Sequence, residues 1–373
     1  MGAPAVSEST LRIAVVGTGA FGRNHLRVYR ELETAGQGVA LVAAVEPNPV
    51  RAADTAAKYA IPVFATVDEL LSADLHLNAA TVAVPTVHHQ EVASVLLDAG
   101  LDLLVEKPLA TSLAEADDLI DRAGKGRRIL QPGHLERFNP AILTAQPRLH
   151  RPMFFESHRL SVFTPRSLDV DVVLDLMIHD LDIVLTFANS PVREVRAVGL
   201  PILSPKVDIA NVRVEFENGC VANFTASRVS TERVRKLRYF EPRQYVSIDY
   251  ARQDLLVIRL DAEGAADAIA SLPPEIAAAI AAGKADPALL AKLAAAGTGG
   301  PAPGLSFVKP PVTLGEPLRL ELLSFLESVR TRREPHVTAR QGRNALALAL
   351  EIQATMAAHA QRAGLESFFN LDK

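Results

Sequence analysis

This sequence of 373 residues has one cysteine, no long apolar run and no excess of positive charge. The single cysteine, Cys220, excludes an internal disulfide and a multi-cysteine zinc site, so a reducing, cytoplasmic location is the simplest interpretation. No apolar stretch reaches the roughly 18 residues of a membrane span, and residues 1–10 lack the basic and apolar parts of a signal peptide. The net charge of -4 argues against nucleic acid or an anionic membrane as a partner.

The remaining composition is that of an ordinary globular protein. Apolar residues make up 49% of the chain and charged residues 22%, and the length suffices for two domains with separate cores. The pattern of elements changes after Gln131. We therefore predict a dinucleotide-binding domain over 1–131 and a second domain over 132–373.

A glycine-rich turn opens the first domain. A mostly apolar strand over 11–16 leads into Gly-x-Gly-x-x-Gly at 17–22, and a helical pattern continues to about residue 33. Gly17 permits the tight turn, Gly19 lets the backbone approach a pyrophosphate, and Gly22 allows close packing of helix on strand. The alternative is a glycine turn that binds nothing. The strand–turn–helix context favours dinucleotide binding, with contacts from Gly17, Gly19, Ala20, Phe21 and Gly22.

An acidic residue follows the second predicted strand, 39–45. Glu46 stands where a carboxylate can accept hydrogen bonds from the adenosine ribose hydroxyls. Because that carboxylate would repel a 2′-phosphate, we expect NAD rather than NADP as the cofactor. Arg51 would soften this preference if its side chain turned towards the ribose.

Strands and helices alternate through the rest of the first domain. We predict strands over 61–64, 77–84, 101–105 and 128–131, and helices over 67–71, 87–99 and 113–122. This alternation indicates an α/β, Rossmann-like, doubly wound parallel sheet with its ligand beyond the carboxyl ends of the strands. Two segments fall at such ends, and we expect them to contact the cofactor: Pro85 with Thr86, and Glu106 with Lys107. The alternative for Lys107 is a solvated loop lysine.

The sequence pattern of the second half predicts an α+β domain. Predicted strands over 153–160, 195–198, 210–217, 221–228, 234–240, 245–249 and 255–260 indicate an open, mostly antiparallel sheet, with a hairpin turn at Asn218-Gly219. Residues 262–300 form an alanine-rich insertion, and helices within 316–363 are expected to pack back onto the body.

One predicted helix, over 169–184, combines an apolar surface with four ionisable residues. Asp171, Asp175, His179 and Asp182 are spaced by four, four and three, which places them on one face of a regular helix. A carboxylate one turn before an imidazole can fix its tautomer and raise its basicity, as suits a general base. The alternative is an ordinary Asp–His pair at the end of a core helix.

Together these motifs resemble the glucose-fructose oxidoreductase / inositol dehydrogenase family of NAD(P)-dependent sugar dehydrogenases. The resemblance rests on the glycine motif at 17–22, Glu106-Lys107-Pro108, and the Asp-x-x-x-His of Asp175 and His179. The segments 133–140, 156–160, 174–182 and 218–228 resemble a narrower group, the UDP-N-acetylglucosamine 3-dehydrogenases of lipid A 3-amino sugar synthesis.

The resemblance implies a site and partners. Lys107 or His179, the latter oriented by Asp175, would be the base, and His89 matches a family histidine beside the cofactor. It also implies a nucleotide-sugar substrate, a pyridoxal-phosphate aminotransferase that uses the product, a homodimer or homotetramer, and no metal. A diphosphate needs cationic contacts, for which Arg137, Arg159 and Arg166 are candidates. Each of these arginines could equally form a surface ion pair.

Three alternatives of function stay open at this point. The first is a dehydrogenase of an inositol or another sugar, which needs no cations for a diphosphate. The second is a glycosidase that uses bound NAD transiently. The third is a non-catalytic NAD-binding sensor, against which the combination of Lys107, Asp175 and His179 argues, since a binding module has no use for it.

Overall fold

The computed structural model describes residues 10–164, 170–260, 274 and 305–365. The chain divides into two compact units that interleave along the sequence. The first unit comprises Met1–Phe138, Leu181–Thr186 and Gly315–Gln353, and the second comprises Asn139–Asp180, Phe187–Leu314 and Ala354–Lys373. The predicted insertion at 262–300 lies outside the described residues apart from Pro274, and the predicted contact Arg166 lies outside them as well.

A six-stranded sheet forms the centre of the first unit. Its strands are β1 (Leu11–Val16), β2 (Val39–Val45), β3 (Val63–Phe64), β4 (Ala79–Val82), β5 (Asp102–Glu106) and β6 (Leu130–Gly133). They lie in the order β3-β2-β1-β4-β5-β6, and neighbouring strands are parallel. The strand order reverses between β1 and β4, which is where sheets of this kind bind their ligand. The predicted doubly wound parallel sheet is confirmed.

Helices connect these strands in the manner expected of a doubly wound sheet. They are α1 (Gly22–Thr34), α2 (Pro49–Tyr59), α3 (Val67–Ser72), α4 (His89–Asp98) and α5 (Leu113–Gly126). Asn48 caps α2, since its side chain accepts a hydrogen bond from the Arg51 N–H at 3.0 Å. The sequence interpretation did not include α2, although the Asn48-Pro49 pair is a typical helix start.

A C-terminal helix, α8 (Pro317–Thr331), completes the core of the first unit. Its apolar stripe is buried in the same cluster as residues of α1 and β1, namely Leu318, Leu322, Phe325, Leu326 and Val329 with Leu11, Ile13, Leu26, Tyr29 and Leu32. We predicted that 316–363 belongs to the second domain. The structure instead places Gly315–Gln353 in the first unit, because this stripe is buried against the Rossmann elements.

The second unit is built on an eight-stranded sheet. Its strands are β7 (Phe154–Leu160), β8 (Val192–Leu200), β9 (Ile209–Phe216), β10 (Val221–Ser227), β11 (Val234–Glu241), β12 (Gln244–Asp249), β13 (Asp254–Leu260) and β14 (Leu305–Val308). They lie in the order β14-β13-β12-β11-β7-β10-β9-β8, and β7 with β10 is the parallel pair in an otherwise antiparallel sheet. The predicted mostly antiparallel sheet is confirmed, whereas β14 was not anticipated.

Alternation and turn chemistry explain why this sheet forms. Val212, Val214 and Phe216 of β9 are buried, while Arg213 between them is exposed. The hairpin between β9 and β10 turns at Gly219, whose φ of 84° is available to glycine without strain. The Asn218 side chain accepts a hydrogen bond from the Cys220 N–H at 2.9 Å and so fixes the turn.

Three further helices lie in the described part of the chain: α6 (Pro140–Ala145), α7 (Ile178–Ala188) and α9 (Ala339–Arg362). A π-helical turn, Val173–Met177, runs directly into α7. Within the described part of the chain, no helix is both long enough and apolar enough to cross a membrane.

Candidate cofactor and catalytic site

The glycine-rich turn has the steric surroundings that a pyrophosphate site requires. Gly17 adopts a φ of 89°, and a Cβ there would lie 2.7 Å from the carbonyl oxygen of Ala83. A Cβ on Gly22 would lie 1.9 Å from the Gly17 carbonyl oxygen, so any side chain there would push the turn apart. No described atom lies within 4 Å of the Cβ position of Gly19, which leaves that side of the backbone open to a ligand. These surroundings fit the predicted role of each glycine.

Substitution of Gly22 tests this geometry. The Gly22→Ala variant is expected to raise the Kd for NAD at least about 100-fold, because the displaced turn moves the phosphate-facing N–H groups. Gly124→Ala is a matched control, since no described atom lies within 4 Å of its Cβ position, in the helix α5. Calorimetric titration with NAD measures both. Unchanged affinity of the Gly22 variant would show that the turn does not carry the phosphates.

Glu46, at the carboxyl end of β2, is buried and fully engaged. Its Oε2 accepts hydrogen bonds from the N–H of Thr18 at 3.1 Å and from the Thr18 hydroxyl at 2.8 Å. Its Oε1 accepts from the Asn48 N–H at 2.9 Å and from Arg51 Nη2 at 2.8 Å. Burial alone would raise the pKa of Glu46, but the hydrogen bonds from Arg51, Asn48 and Thr18 outweigh it and lower the pKa from 4.5 to about 2. The bonds to Glu46 are therefore at full strength above pH 4.5 and are lost as the pH falls through about 2.

Arg51 is the partner of Glu46 that can move, since its side chain is 52% exposed. A ribose hydroxyl that donates to Glu46 must displace one of the four donors, and Thr18 is buried while the Asn48 N–H belongs to the start of α2. A displaced Arg51 guanidinium would remain beside the ribose, where it could pair with a 2′-phosphate. We therefore expect Arg51 to influence how strongly the site discriminates between NAD and NADP.

The Arg51→Ala variant tests this assignment. The ratio of kcat/KM with NAD to kcat/KM with NADP is expected to rise about tenfold, as one charge-assisted hydrogen bond to a 2′-phosphate is lost. Arg196→Ala is the control, because Arg196 is an exposed arginine of β8 that pairs with Glu194. Steady-state kinetics with each cofactor give the ratio. A ratio equal to that of the Arg196 variant would contradict the role of Arg51.

A cleft of about 720 Å³ opens at these residues in the first unit. Its lining includes four of the predicted cofactor contacts, Gly17, Gly19, Glu46 and Pro85, together with Arg51, Asp68 and His88. The other predicted cofactor contacts are not among the described residues that line the cleft. They are Ala20, Phe21, Gly22, Thr86, His89, Glu106 and Lys107. The cleft thus joins the glycine turn to the ends of β2 and β4, at the strand-order reversal.

His89 has a structural position. Its Nδ1 lies 2.8 Å from the carbonyl oxygen of Pro108 and its Nε2 lies 2.9 Å from that of Val84, so the ring joins the segments after β4 and β5. Burial lowers the pKa of His89. A direct cofactor contact by His89 stays a prediction, and its observed bonds explain the residue without one.

Glu106 and Lys107 stand at the carboxyl end of β5. The Glu106 carboxylate lies 2.6 Å from Nε2 of the buried His25, and its other oxygen accepts the Lys107 N–H at 3.3 Å. A Cβ on Gly133 of the neighbouring strand would lie 3.0 Å from the Glu106 Cα, so glycine is needed there. Lys107 is half-buried. The role of His25 was not predicted, because nothing in the pattern of α1 marks which residue meets the end of β5.

The helix with Asp175 and His179 departs from the regular geometry that was assumed for it. The Asp171 carboxylate accepts hydrogen bonds from the N–H groups of Val173 and Leu174, at 2.8 and 3.1 Å, and so caps the helix start. Asp175 lies within the π-helical turn, and His179 follows in α7 with 9% exposure. A π turn holds more residues than an α turn, so this segment is not the regular α-helix that was assumed, and the shared face of Asp171, Asp175, His179 and Asp182 stays a prediction. The orientation of His179 by Asp175 stays a prediction.

Two of the three predicted diphosphate contacts are buried in ion pairs. Arg137 is 2% exposed, and its Nη1 lies 3.4 Å from Asp182 and 2.5 Å from the Thr186 hydroxyl. Arg159 is also 2% exposed, binds Asp180 through two nitrogens at 2.7 and 3.0 Å, and stacks over the Tyr250 ring. These contacts explain both arginines as structural anchors, and their contact with a diphosphate stays a prediction. Among the described residues, no group of His, Cys, Asp or Glu is arranged to hold a metal ion.

The parallel sheet, its glycine turn and the acid at the end of β2 define an NAD-binding domain of a dehydrogenase. Residues 11–134 match the profile described as "Oxidoreductase family, NAD-binding Rossmann fold", and residues 142–243 match "GFO/IDH/MocA C-terminal domain". UDP-N-acetylglucosamine 3-dehydrogenase of Acidithiobacillus ferrooxidans is 38% identical over 246 residues, which is 66% of this chain and 76% of that protein. The chain therefore belongs to the Gfo/Idh/MocA oxidoreductase family, and it is an NAD-dependent sugar dehydrogenase of that family.

Other relatives give the range of the family. Inositol 2-dehydrogenase of Acidothermus cellulolyticus is 28% identical over 199 residues, which is 52% of this chain and 58% of that one. The solved structure of the Acidithiobacillus ferrooxidans enzyme superposes with a TM-score of 0.76 at 29% identity, covering 96% of this chain and 99% of that one. Levoglucosan dehydrogenase in complex with NADH and L-sorbose has a TM-score of 0.75 at 17% identity, over 94% and 97% of the two chains, and shows the shared fold.

Proposed function

We propose that the protein oxidises the 3-hydroxyl of UDP-N-acetylglucosamine to the 3-keto sugar, with NAD as the acceptor. The similarity to a dehydrogenase named for this reaction, 38% identical over 66% of this chain, carries the proposal. The solved structure of that enzyme matches the fold over 96% of this chain. Lys107, Asp175 and His179 stand where the family motifs fall, and they supply the groups that removal of a hydroxyl proton requires.

The chemistry divides between cofactor and protein. When bound, NAD supplies the acceptor for the hydride of the oxidised carbon. Lys107 or His179 removes the hydroxyl proton, so that the departing hydride leaves a carbonyl behind. A cationic Lys107 also stabilises the negative charge that develops on the hydroxyl oxygen. Glu46 and the glycine turn hold the cofactor and take no part in proton transfer.

The product points to the reactions around this enzyme. A 3-keto nucleotide sugar is a carbonyl compound, and a pyridoxal-phosphate aminotransferase would convert it to a 3-amino sugar for lipid A. Such a partner would also draw an unfavourable oxidation forward by removing its product. A cytoplasmic location and a homodimer or homotetramer belong to this proposal as well, on the resemblance to the family.

Oxidation of a free inositol is the second candidate. Arg137 and Arg159 are held in buried ion pairs, so neither offers a free cation to a diphosphate in the described arrangement. An inositol needs no such cation, and inositol 2-dehydrogenases are among the relatives. The relatives' names favour oxidation over the glycosidase and sensor alternatives.

A substrate panel separates these candidates. NADH formation is measured with NAD and UDP-N-acetylglucosamine, UDP-N-acetylgalactosamine, UDP-glucose or free inositols, with and without a 3-keto-sugar aminotransferase plus glutamate. We expect turnover with UDP-N-acetylglucosamine that the aminotransferase increases. Turnover with inositols alone would overturn the nucleotide-sugar substrate and leave the dehydrogenase intact. Sugar release without NADH accumulation would indicate the glycosidase.

A further inference from the structure

Four buried polar side chains of the first unit converge near the ends of β5 and β6. They are Gln131 of β6, His134 just after it, Asp182 of α7 and Glu321 of α8, and each is at most 1% exposed. Among the described residues, seven of their side-chain atoms have no hydrogen-bond partner: both of Gln131, both ring nitrogens of His134, Oδ2 of Asp182, and both carboxyl oxygens of Glu321. We call these four residues the polar cluster.

The polar cluster adjoins the end of β5 that carries Lys107. Gln131 and Gly133 of β6 pair with Leu104 and Glu106 of β5. The charges of Lys107 and Glu106 act on His134, and the carboxylates of Glu106 and Asp182 act on Glu321. The further titratable groups that face the cluster are His25 and Tyr29 of α1, Arg137, and His336 before α9.

Seven buried polar atoms need hydrogen-bond partners. Each buried donor or acceptor without one costs roughly 1–3 kcal/mol, and native proteins rarely tolerate more than a few. Within the cluster, His134 Nδ1 and Asp182 Oδ2 are 4.0 Å apart, which is too long for a hydrogen bond but suits a bridging group. Water satisfies such sites by making about three hydrogen bonds to buried polar groups. A metal ion does not fit, because the described acids and imidazoles form no coordinating group.

We propose that the polar cluster binds a chain of water molecules and that this chain carries away the proton that Lys107 takes from the substrate. As the sugar carbon loses its hydride, for which bound NAD would supply the acceptor, the hydroxyl O–H bond breaks and an N–H bond forms on Lys107. Lys107 then gives that proton to the bound water, the Glu321 carboxyl group takes up a proton from this water as it releases its own to the next water, and an N–H bond forms on His134. Asp182 balances the resulting imidazolium, and His134 returns the proton to solvent before the next turnover. The proposal rests on the proposed function and on Lys107, of the two candidates Lys107 and His179, being the base.

The protonation of His134 and Glu321 suits this proton transfer. Burial lowers the pKa of His134, so the ring is neutral between turnovers and readily gives up a proton that it has received. Burial, together with the charges of Glu106 and Asp182, raises the pKa of Glu321 well above its usual range, which favours the protonated form of its carboxyl group. A protonated carboxyl group donates one hydrogen bond and accepts others, and it can therefore exchange its proton with water.

The Glu321→Gln variant separates proton exchange from structural support. Glutamine keeps the size and neutrality of the protonated side chain and can still bind water, but it cannot release and regain a proton. We expect kcat to fall about tenfold, which is a smaller loss than that expected for a base that contacts the substrate directly. The Kd for NAD and the Tm are expected to stay unchanged. The solvent deuterium isotope effect on kcat is expected to rise, and the basic limb of the pH profile of kcat to shift. Ser328→Ala on the same helix is the control, since the Ser328 hydroxyl bonds within α8.

A high-resolution crystal structure of the wild-type protein completes the test, and it does not depend on which sugar is the substrate. Ordered water within hydrogen-bond distance of His134, Asp182 and Glu321 is the expected result. A dry cluster whose side chains bond directly to one another would overturn the proposal. So would a Glu321→Gln variant with the kcat, pH profile and isotope effect of the wild type. If Lys107 proves not to be the base while the water is present, the base role fails and the hydration site stands.

Discussion

Replacement of Lys107 by alanine is expected to lower kcat about 10²–10⁴-fold while the Kd for NAD changes little, because a positioned base contributes on this scale. Lys107 stands at the carboxyl end of β5, and its N–H is held by the carboxylate of Glu106, which His25 supports in turn. In the proposed mechanism the lysine would have two separable functions, proton removal and stabilisation of the developing alkoxide. Lys107→Arg keeps the charge but cannot act as a base at neutral pH, so it isolates the first function.

Stopped-flow measurement of NADH formation resolves the chemical step in these variants. A large loss in both Lys107 variants identifies Lys107 as the base, whereas a large loss in His179→Gln with a mild loss in Lys107→Arg identifies His179. Lys125→Ala is the control, because Lys125 is an exposed lysine of α5. Near-normal turnover of both Lys107→Ala and His179→Ala would contradict the proposed catalytic groups.

Asp180→Asn is expected to lower the free energy of unfolding by about 3–5 kcal/mol, because the buried Arg159 guanidinium loses the carboxylate that binds it through two nitrogens. Both side chains are nearly inaccessible to water, and the guanidinium binds Asp180 through two nitrogens. A matched control lies in the same unit, where Asp254 pairs with Lys309 on the surface. Asp254→Asn should cost no more than about 1 kcal/mol.

Urea unfolding monitored by circular dichroism gives the two values. The double variant Asp180→Asn/Arg159→Met should recover part of the loss, because it removes the buried guanidinium together with the carboxylate that binds it. A cost for Asp180→Asn equal to that of Asp254→Asn would show that Arg159 is not anchored by Asp180. Arg159 would then be available to a substrate diphosphate, as the sequence first suggested.

The fold was largely predictable from the sequence because its signals are local. The strands β1 and β2 have the predicted bounds, since each is a short apolar run that a turn residue ends. The hairpin at Asn218-Gly219 follows equally from two residues. The division into units was not predictable in this way. The unit to which α8 belongs depends on which apolar surface its apolar stripe packs against. An amphipathic sequence pattern predicts that the stripe is buried but not which surface buries it.

In the candidate site, too, the locally encoded features were predictable and the contacts between residues distant in sequence were not. The roles of Gly17 and Gly22 follow from backbone geometry, which the sequence motif encodes. The bond between His25 and Glu106 and the pairing of Arg137 with Asp182 join residues far apart in the chain, and no spacing rule reports such pairs. The π-helical turn before His179 was also missed, because the sequence of that helix fits a regular α-helical period.

Transfer of deuterium from UDP-N-acetylglucosamine labelled at carbon 3 tests the central proposal most directly. The labelled sugar and NAD are incubated with the protein and the coupled aminotransferase, and the mass of the NADH is measured. The proposed reaction predicts NADH that carries the deuterium. NADH without deuterium would show that another carbon is oxidised and would contradict the assignment to the 3-hydroxyl.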